Sequence, residues 1–394
     1  MKLKKIVSLS LLALALSACG GGGSDSASSV GLSNSEKIFV HNLFLDEYLW
    51  NTQVAEQIDY GDYSTRQGLI DGLKVTPPDI WSFTITAQEY ENFANQKTAG
   101  FGFAYASDFT LSLVRIDAPA YEKLFRGDKL LQVNGEAVTQ ENISAAASNL
   151  NNPTSFKLLR NGSEVTVVVT PSEYSFKVSL GKVIDHNGKK VAYLRYDSFT
   201  ESSVEEFEAI FTTFKNANVD ELVIDMRYNG GGSILTASLL LDNITDAYPE
   251  QRQVYLDWND DLKSNNNTYT FSDLDLQDGN ELTMPRVFFL TTSNSASASE
   301  LVISALTPYL GKSNVITVGE ATHGKPVGMT GRTYGENFYF LVNFLVRNNA
   351  EETTSFEGIP VTCAAEDDIT KRMGDPEEKM FATALYYIDN TSCP

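Results

Sequence analysis

The 394-residue chain is poor in cysteine, histidine and positive charge. Cys19, Cys363 and Cys393 include no CxxC pair, and with only three histidines they leave little material for a multi-ligand metal site. Lysine and arginine total 30 against 51 acidic residues, a net charge of -21. No cationic footprint exists for a phosphate backbone, which argues against nucleic acid as a partner. The apolar run from Ile6 to Leu16 is too short to span a bilayer. What is present is 42% hydrophobic and 21% charged, enough for a substantial core in two or three ordinary domains. Disorder as the main state is excluded.

Lys2, Lys4 and Lys5 ahead of that apolar run give residues 1–18 the form of a secretory signal. Leu16-Ser17-Ala18-Cys19, followed by Gly20 to Gly23 and a serine-rich stretch, resembles the lipobox of bacterial lipoproteins. The resemblance implies cleavage before Cys19, lipidation of its thiol, and a flexible tether over residues 19–33. Gly20 after the cysteine implies the outer membrane of the bacterial cell envelope, with the protein facing the periplasm. An ordinary export signal with an incidental cysteine is the plainer alternative. The small residues before Cys19 and the tether after it favour lipidation. In an oxidising compartment Cys363 and Cys393 are then the one pair left, a candidate bridge that would staple the C-terminal tail.

Residues 34–96 carry Ile38, Phe44, Leu45, Tyr48 and Leu49 at helical offsets, and Thr86 with Glu89 reads as a capping box, so this segment is expected to be helical. From Gly100 the pattern changes to short strands, and residues 97–172 read as a small β-rich module. Gly100-Phe101-Gly102-Phe103, Asp117-Ala118-Pro119-Ala120 and the Gly127 to Gly135 segment, in that order, resemble a PDZ domain. Glycines in such a loop let consecutive backbone N–H groups converge on a carboxylate. Gly100, Phe101, Gly102 and Phe103 are therefore the expected peptide-binding residues, and internal packing alone is the alternative.

Residues 173–394 alternate strands and helices. Val191 to Arg195 leads to an amphipathic helix with Val204, Phe207, Ile210, Phe211 and Phe214, then to the strand Leu222 to Met226. Val287 to Thr291, a helix from about Ser299 to Tyr309, and Val315 to Val318 repeat the theme. These are βαβ units of an α/β fold, whose functional groups gather where strands end.

Three segments carry chemistry. Ser293 to Glu300 stands between a strand and an apolar helix, and Ser297 with Glu300 fits a capping box. A serine placed there can also be a nucleophile whose oxyanion is met by the next backbone amide. The strand from Val315 delivers Lys325 through a glycine turn. To act as a base it must be neutral, and a fall in pKa from about 10.4 towards about 7 costs roughly 4 to 5 kcal/mol, which burial can supply. Asp225-Met226-Arg227-Tyr228-Asn229 and three glycines form a strand exit whose N–H groups can meet negative charge. No lysine with serine or threonine follows those glycines in P-loop register, and neither a cofactor nor a metal is expected.

Together these segments resemble the C-terminal processing peptidases, or tail-specific proteases, from about residue 75 to 388. Pro78-Asp79 with the aromatic-rich stretch to Phe93, the Asp225 to Gly232 segment against the motif DLRxNPGG, the hexapeptide SASASE, and Thr322-His323-Gly324-Lys325 carry the resemblance. It implies a serine endopeptidase with Ser297 as nucleophile and Lys325 as base. Ala298 N–H and Gly231 N–H would form the oxyanion hole, and Ser295 and Ser299 would be structural. It also implies a crotonase-like α/β peptidase core with an inserted PDZ module, acting on polypeptides with accessible C-termini. Departures from the family pattern are Pro326 in place of glycine, Met329 in place of a lysine-orienting glutamine, and Gly230 in place of proline. A Ser/His triad using His323 with Asp225 or Glu320 is one rival. The other is a catalytically inactive PDZ-containing lipoprotein that binds peptide tails. His41 and His186 read as ordinary surface residues.

Overall fold

The computed structural model describes residues 31–271 and 279–394; the signal segment, Cys19 and most of the tether lie outside the described residues. At its centre is a six-stranded sheet in the order Ser179–His186, Lys189–Tyr196, Glu221–Asp225, Val287–Thr291, Val315–Gly319 and Cys363–Ala364. The first two strands form an antiparallel hairpin and the rest run parallel. Every residue of the three middle strands is buried, as expected of parallel strands covered on both faces.

Side chains alternate between those faces. Ala192, Leu194, Leu222, Ile224, Val287 and Phe289 meet the helices Ser203–Ala217, Ile234–Ile244 and Ala298–Leu310. Val191, Tyr193, Val223, Phe288, Leu290, Ile316 and Val318 meet the C-terminal helix Lys379–Asn390. Asp225, Thr291 and Gly319 therefore end their strands at one edge of the sheet, and the three segments singled out for chemistry leave from there.

A second, antiparallel sheet is organised around the long strand Asn337–Asn348, which pairs with Val327–Tyr334, Phe83–Thr86 and Arg252–Trp258. Val327 lies two residues beyond Lys325, so this sheet continues directly from the lysine segment. The helices Asn34–Asp46 and Arg66–Leu73 bury Val40, Phe44, Leu69 and Ile70 against it. The segment expected to be helical thus also supplies a strand, Phe83–Thr86, because its β-branched and aromatic residues complete the sheet. The Thr86–Glu89 capping box opens the helix Ala87–Ala94. His41 is a correction: it is 3% exposed, bonded to Tyr60 Oη and the Ala55 carbonyl.

Residues 97–175 form short antiparallel pairings and a helix, Gln140–Ser148, that strand periodicity did not reveal. Phe101 and Phe103 are 3% and 4% exposed and pack against Phe156 in the module's own core. Their side chains are therefore core and not ligand surface, and only the loop backbone remains for the peptide-binding role. Ala120 N–H already occupies the Phe101 carbonyl, and Arg115 N–H that of Gly102.

Cys363 and Cys393 are bridged. The bridge fixes the end of the chain to the edge strand of the central sheet. Replacing both cysteines by serine is expected to lower the free energy of unfolding by about 2–4 kcal/mol, read as an earlier urea midpoint, with an m value equal to or above the parent's because the uncrosslinked denatured chain exposes more surface. Phe103→Asp is expected to unfold the small module, with hydrogen exchange over residues 97–175 losing protection while the central sheet keeps it.

Candidate active site

Ser297 sits between the strand Val287–Thr291 and the helix Ala298–Leu310 with φ 57° and ψ -112°. A side chain held in that region costs on the order of 1–3 kcal/mol, so surrounding bonds must enforce it. They come from the Asp225 to Gly232 segment. Ala296 N–H and Ser299 Oγ–H both donate to the Asn229 carbonyl, and Ser295 Oγ–H donates to the Met226 carbonyl at 2.7 Å. Ser295 and Ser299 tie the elbow to the neighbouring strand exit.

Gly231, at φ 103°, lies behind the elbow. A Cβ there would stand 2.8 Å from Ser297 Cβ and 2.9 Å from Ala298 N, so glycine is required twice over. Its N–H donates to Asn229 Oδ1 at 2.9 Å. In this conformation the Gly231 amide, expected as an oxyanion donor, is engaged by the Asn229 side chain. Gly232, one residue later, lines the pocket beside Ser297 and Ala298. Ala298 opens the helix, where N–H groups lack intrahelical acceptors.

Lys325 is 2% exposed and lines the same pocket, whose other walls include Ile234, Leu301 and Met329. The cavity holds about 20 Å³, room for roughly one water. Burial pushes the Lys325 amine down to about 7, opposed by the negative charges of Asp79 and then Glu300. That is a bias on the order of 5 kcal/mol towards the neutral amine. Among the described residues Nζ has no hydrogen-bond partner. No hydrogen bond joins Lys325 Nζ to Ser297 in this conformation.

Glu300 does more than cap a helix. Its carboxylate accepts from Ser297 N–H at 2.8 Å, Thr322 Oγ1–H at 2.6 Å, Gly324 N–H at 2.7 Å and Lys325 N–H at 2.9 Å. One side chain thereby holds the serine elbow and the lysine turn together. The capping-box spacing revealed the glutamate, but the long-range half of its bonding had no sequence signal.

The rival histidine is turned elsewhere. His323 is exposed and its Nε2 faces the Trp81 indole N–H at 3.3 Å. Asp225 cannot orient it, being fully buried in bonds to Tyr193 Oη and the guanidinium of Arg227. Arg227 also pairs with Glu378 and Asp367, and Asp367 in turn with Arg126 of the small module. A larger cavity of about 1,090 Å³ runs between module and core, lined by Arg115, Tyr174, Tyr228, Gly230 and Gly231, so it reaches the glycine loop. Among the described residues no cluster of three or more His, Cys, Asp or Glu side chains could hold a metal ion.

A mixed α/β fold with a strained serine elbow at the carboxyl edge of a parallel sheet defines the class. The sequence profile of Peptidase family S41 matches residues 190–360. The chloroplastic carboxyl-terminal-processing peptidase 3 of Arabidopsis thaliana is 25% identical over 289 residues, covering 66% of this chain and 52% of that protein. The carboxyl-terminal-processing protease of a Picosynechococcus species is 29% identical over 164 residues, covering 41% and 35%. The chain thus spans about half or less of the length of these relatives. A crystal structure from Bacteroides fragilis, classed among the S41 proteases, superposes with a TM-score of 0.79 at 23% identity over 90% of this chain and 97% of that one, which establishes the fold. Residues 190–360 thus resemble peptidase family S41, and the chain is similar to carboxyl-terminal processing proteases.

Gly231→Ala is expected to slow acylation of Ser297 by a fluorophosphonate about 10²-fold, since displacing a reactive group by about 1 Å costs that much. Gly31→Ala, where a Cβ meets nothing within 4 Å and the backbone is outside the left-handed region, should leave the rate unchanged as the control.

Proposed function

We propose that the protein is a serine endopeptidase working through Ser297 and Lys325. The observation that carries this reading is a strained serine and a buried, weakly basic lysine lining one pocket. Neutral Lys325 takes the hydroxyl proton as Ser297 Oγ attacks the scissile carbonyl carbon. The tetrahedral oxyanion accepts from Ala298 N–H, and Gly231 N–H exchanges Asn229 for the oxyanion when substrate arrives. The Lys325 ammonium then gives its proton to the leaving amine, and the acyl-enzyme forms. Water enters, Lys325 takes its proton, and attack on the ester releases the acid and restores the serine.

The small module is read as a PDZ domain that captures a substrate's C-terminal carboxylate through the backbone N–H groups of Gly100 to Phe103. The cavity between module and core, lined by Ala99 just before that loop and by Gly230 and Gly231, offers a path towards the glycine segment. The core is read as crotonase-like. Lipidation at Cys19 would tether the enzyme to the outer membrane, facing the periplasm. The charge balance suits this, because an acidic surface gains nothing from anionic lipid and leaves attachment to the acyl chains.

The test is incubation of purified protein with an unfolded, untagged polypeptide beside two variants. Ser297→Ala and Lys325→Ala should each lower cleavage at least ~10³-fold with the fold intact by circular dichroism. Unaffected turnover in either variant defeats the dyad, and binding without turnover in the parent protein leaves a tail-binding lipoprotein. Because the amine is active when neutral, kcat/KM should rise with pH through about 7 and level off above it. A flat profile between pH 6 and 8 would remove lysine as the base.

A further inference from the structure

In the Ser297/Lys325 reading Lys325 becomes an ammonium for part of each turnover, inside a small pocket lined by Ile234, Leu301, Met329 and Val346 together with the hydroxyl residues Ser304 and Thr354. Met329, four residues on in the adjoining strand Val327–Tyr334 and lining the same pocket, offers only a thioether, a weak acceptor. Glu300 has both oxygens taken by donors that fix the elbow and the turn. The remaining buried acid near the lysine comes from the N-terminal segment.

Asp79 is fully buried, and among the described residues it has no ion pair. Its Oδ1 accepts from Trp81 N–H and Ser82 N–H, both at 2.9 Å, and its Oδ2 accepts from Tyr48 Oη–H at 2.9 Å and Ser82 Oγ–H at 2.6 Å. Burial together with the Asp79 charge pushes the Tyr48 phenol far up, so it stays a donor. The turn is fastened on both sides of the lysine. Ser82 Oγ accepts from Val342 N–H, and Val342 lies opposite Met329 in the sheet. On the other side Trp81 donates to His323 and stacks on Phe356.

We propose that Asp79 is a positioning residue for Lys325: a prefixed, desolvated carboxylate behind the lysine strand that stabilises the ammonium formed when Ser297 loses its proton. The proposal rests on the Ser297/Lys325 reading and extends it to a segment outside the S41 match, which begins at residue 190. The groups that face the amine are consistent with it. Asp79 is the larger of the two charges that oppose the effect of burial on Lys325, Glu300 the smaller, while His323 is exposed. A fixed carboxylate costs no reorganisation at the moment of proton transfer.

The experiment is a lysine side-chain NMR titration of the full chain carrying Ser297→Ala, with the Lys325 signal assigned by its loss in Lys325→Met. This readout does not require peptidase activity. Adding Asp79→Asn should move the Lys325 midpoint down by about 1 unit or more, the size expected for removing a nearby opposite charge. Tyr48→Phe keeps the carboxylate but strips one of its hydrogen bonds, and should move the midpoint up. In the active chain Asp79→Asn should shift the acidic limb of kcat/KM downward and lower its plateau about 10-fold or more, with KM unchanged. A lowered plateau on an unshifted limb would mean a purely structural role. An unmoved Lys325 midpoint in folded Asp79→Asn, or in Tyr48→Phe should the first variant not fold, overturns the proposal. Moved midpoints alongside an inert parent protein would instead overturn the peptidase reading.

Discussion

Desolvation of a single amine sets the terms for the rest of the site. A lysine amine in water is protonated near neutrality and has no lone pair with which to take a proton; on the proposed Ser297/Lys325 reading, taking the group out of water is what frees it to act as a base. That burial in turn requires walls: Ile234 and Leu301 from the helical layer, Met329 and Val346 from the antiparallel sheet. Two carboxylates limit how far the amine is depressed. The fold is therefore needed to build an apolar box with negative charge held just outside it.

Glu300 couples that box to Ser297. A helix N-terminus favours a carboxylate in its first turn, and the same glutamate reaches across to the amides of Gly324 and Lys325. Serine and lysine come from segments whose strands are adjacent and parallel, so the bond closes over a short distance once the sheet is formed. The strain at Ser297 is supported by the same set of contacts, with Asn229 and Met226 gripping the elbow from the neighbouring strand exit.

The glycine loop joins this centre to the small module. Arg227, buried completely, bridges Asp225 and Glu378 and reaches Asp367, which Arg126 of the module also binds. Removing one member of such a buried set leaves an uncompensated charge, typically at about 3–5 kcal/mol, so the loop and the module are held in a defined relation. The acidic partners outnumber the arginines there, in keeping with the composition of the whole chain.

Much of the core was legible because its signals are local. The period of apolar residues located Val287–Thr291 and the helix after Ser297, and glycine and serine runs marked the strand exits. The module helix Gln140–Ser148 and the strand Phe83–Thr86 were not, since both are short and take their stability from what they pack against. At Phe101 and Phe103 the motif fixes the loop, but which way its rings face is decided by Phe156, far along the chain. By itself the sequence determined which residue types stand at the ends of which strands, because period and turn chemistry act over a few neighbours. The occupation of the Gly231 amide, the double grip of Glu300 and the placing of Asp79 behind Lys325 were decided by tertiary structure alone. Each is a contact between segments whose approach is set by sheet order and burial, which no local pattern encodes.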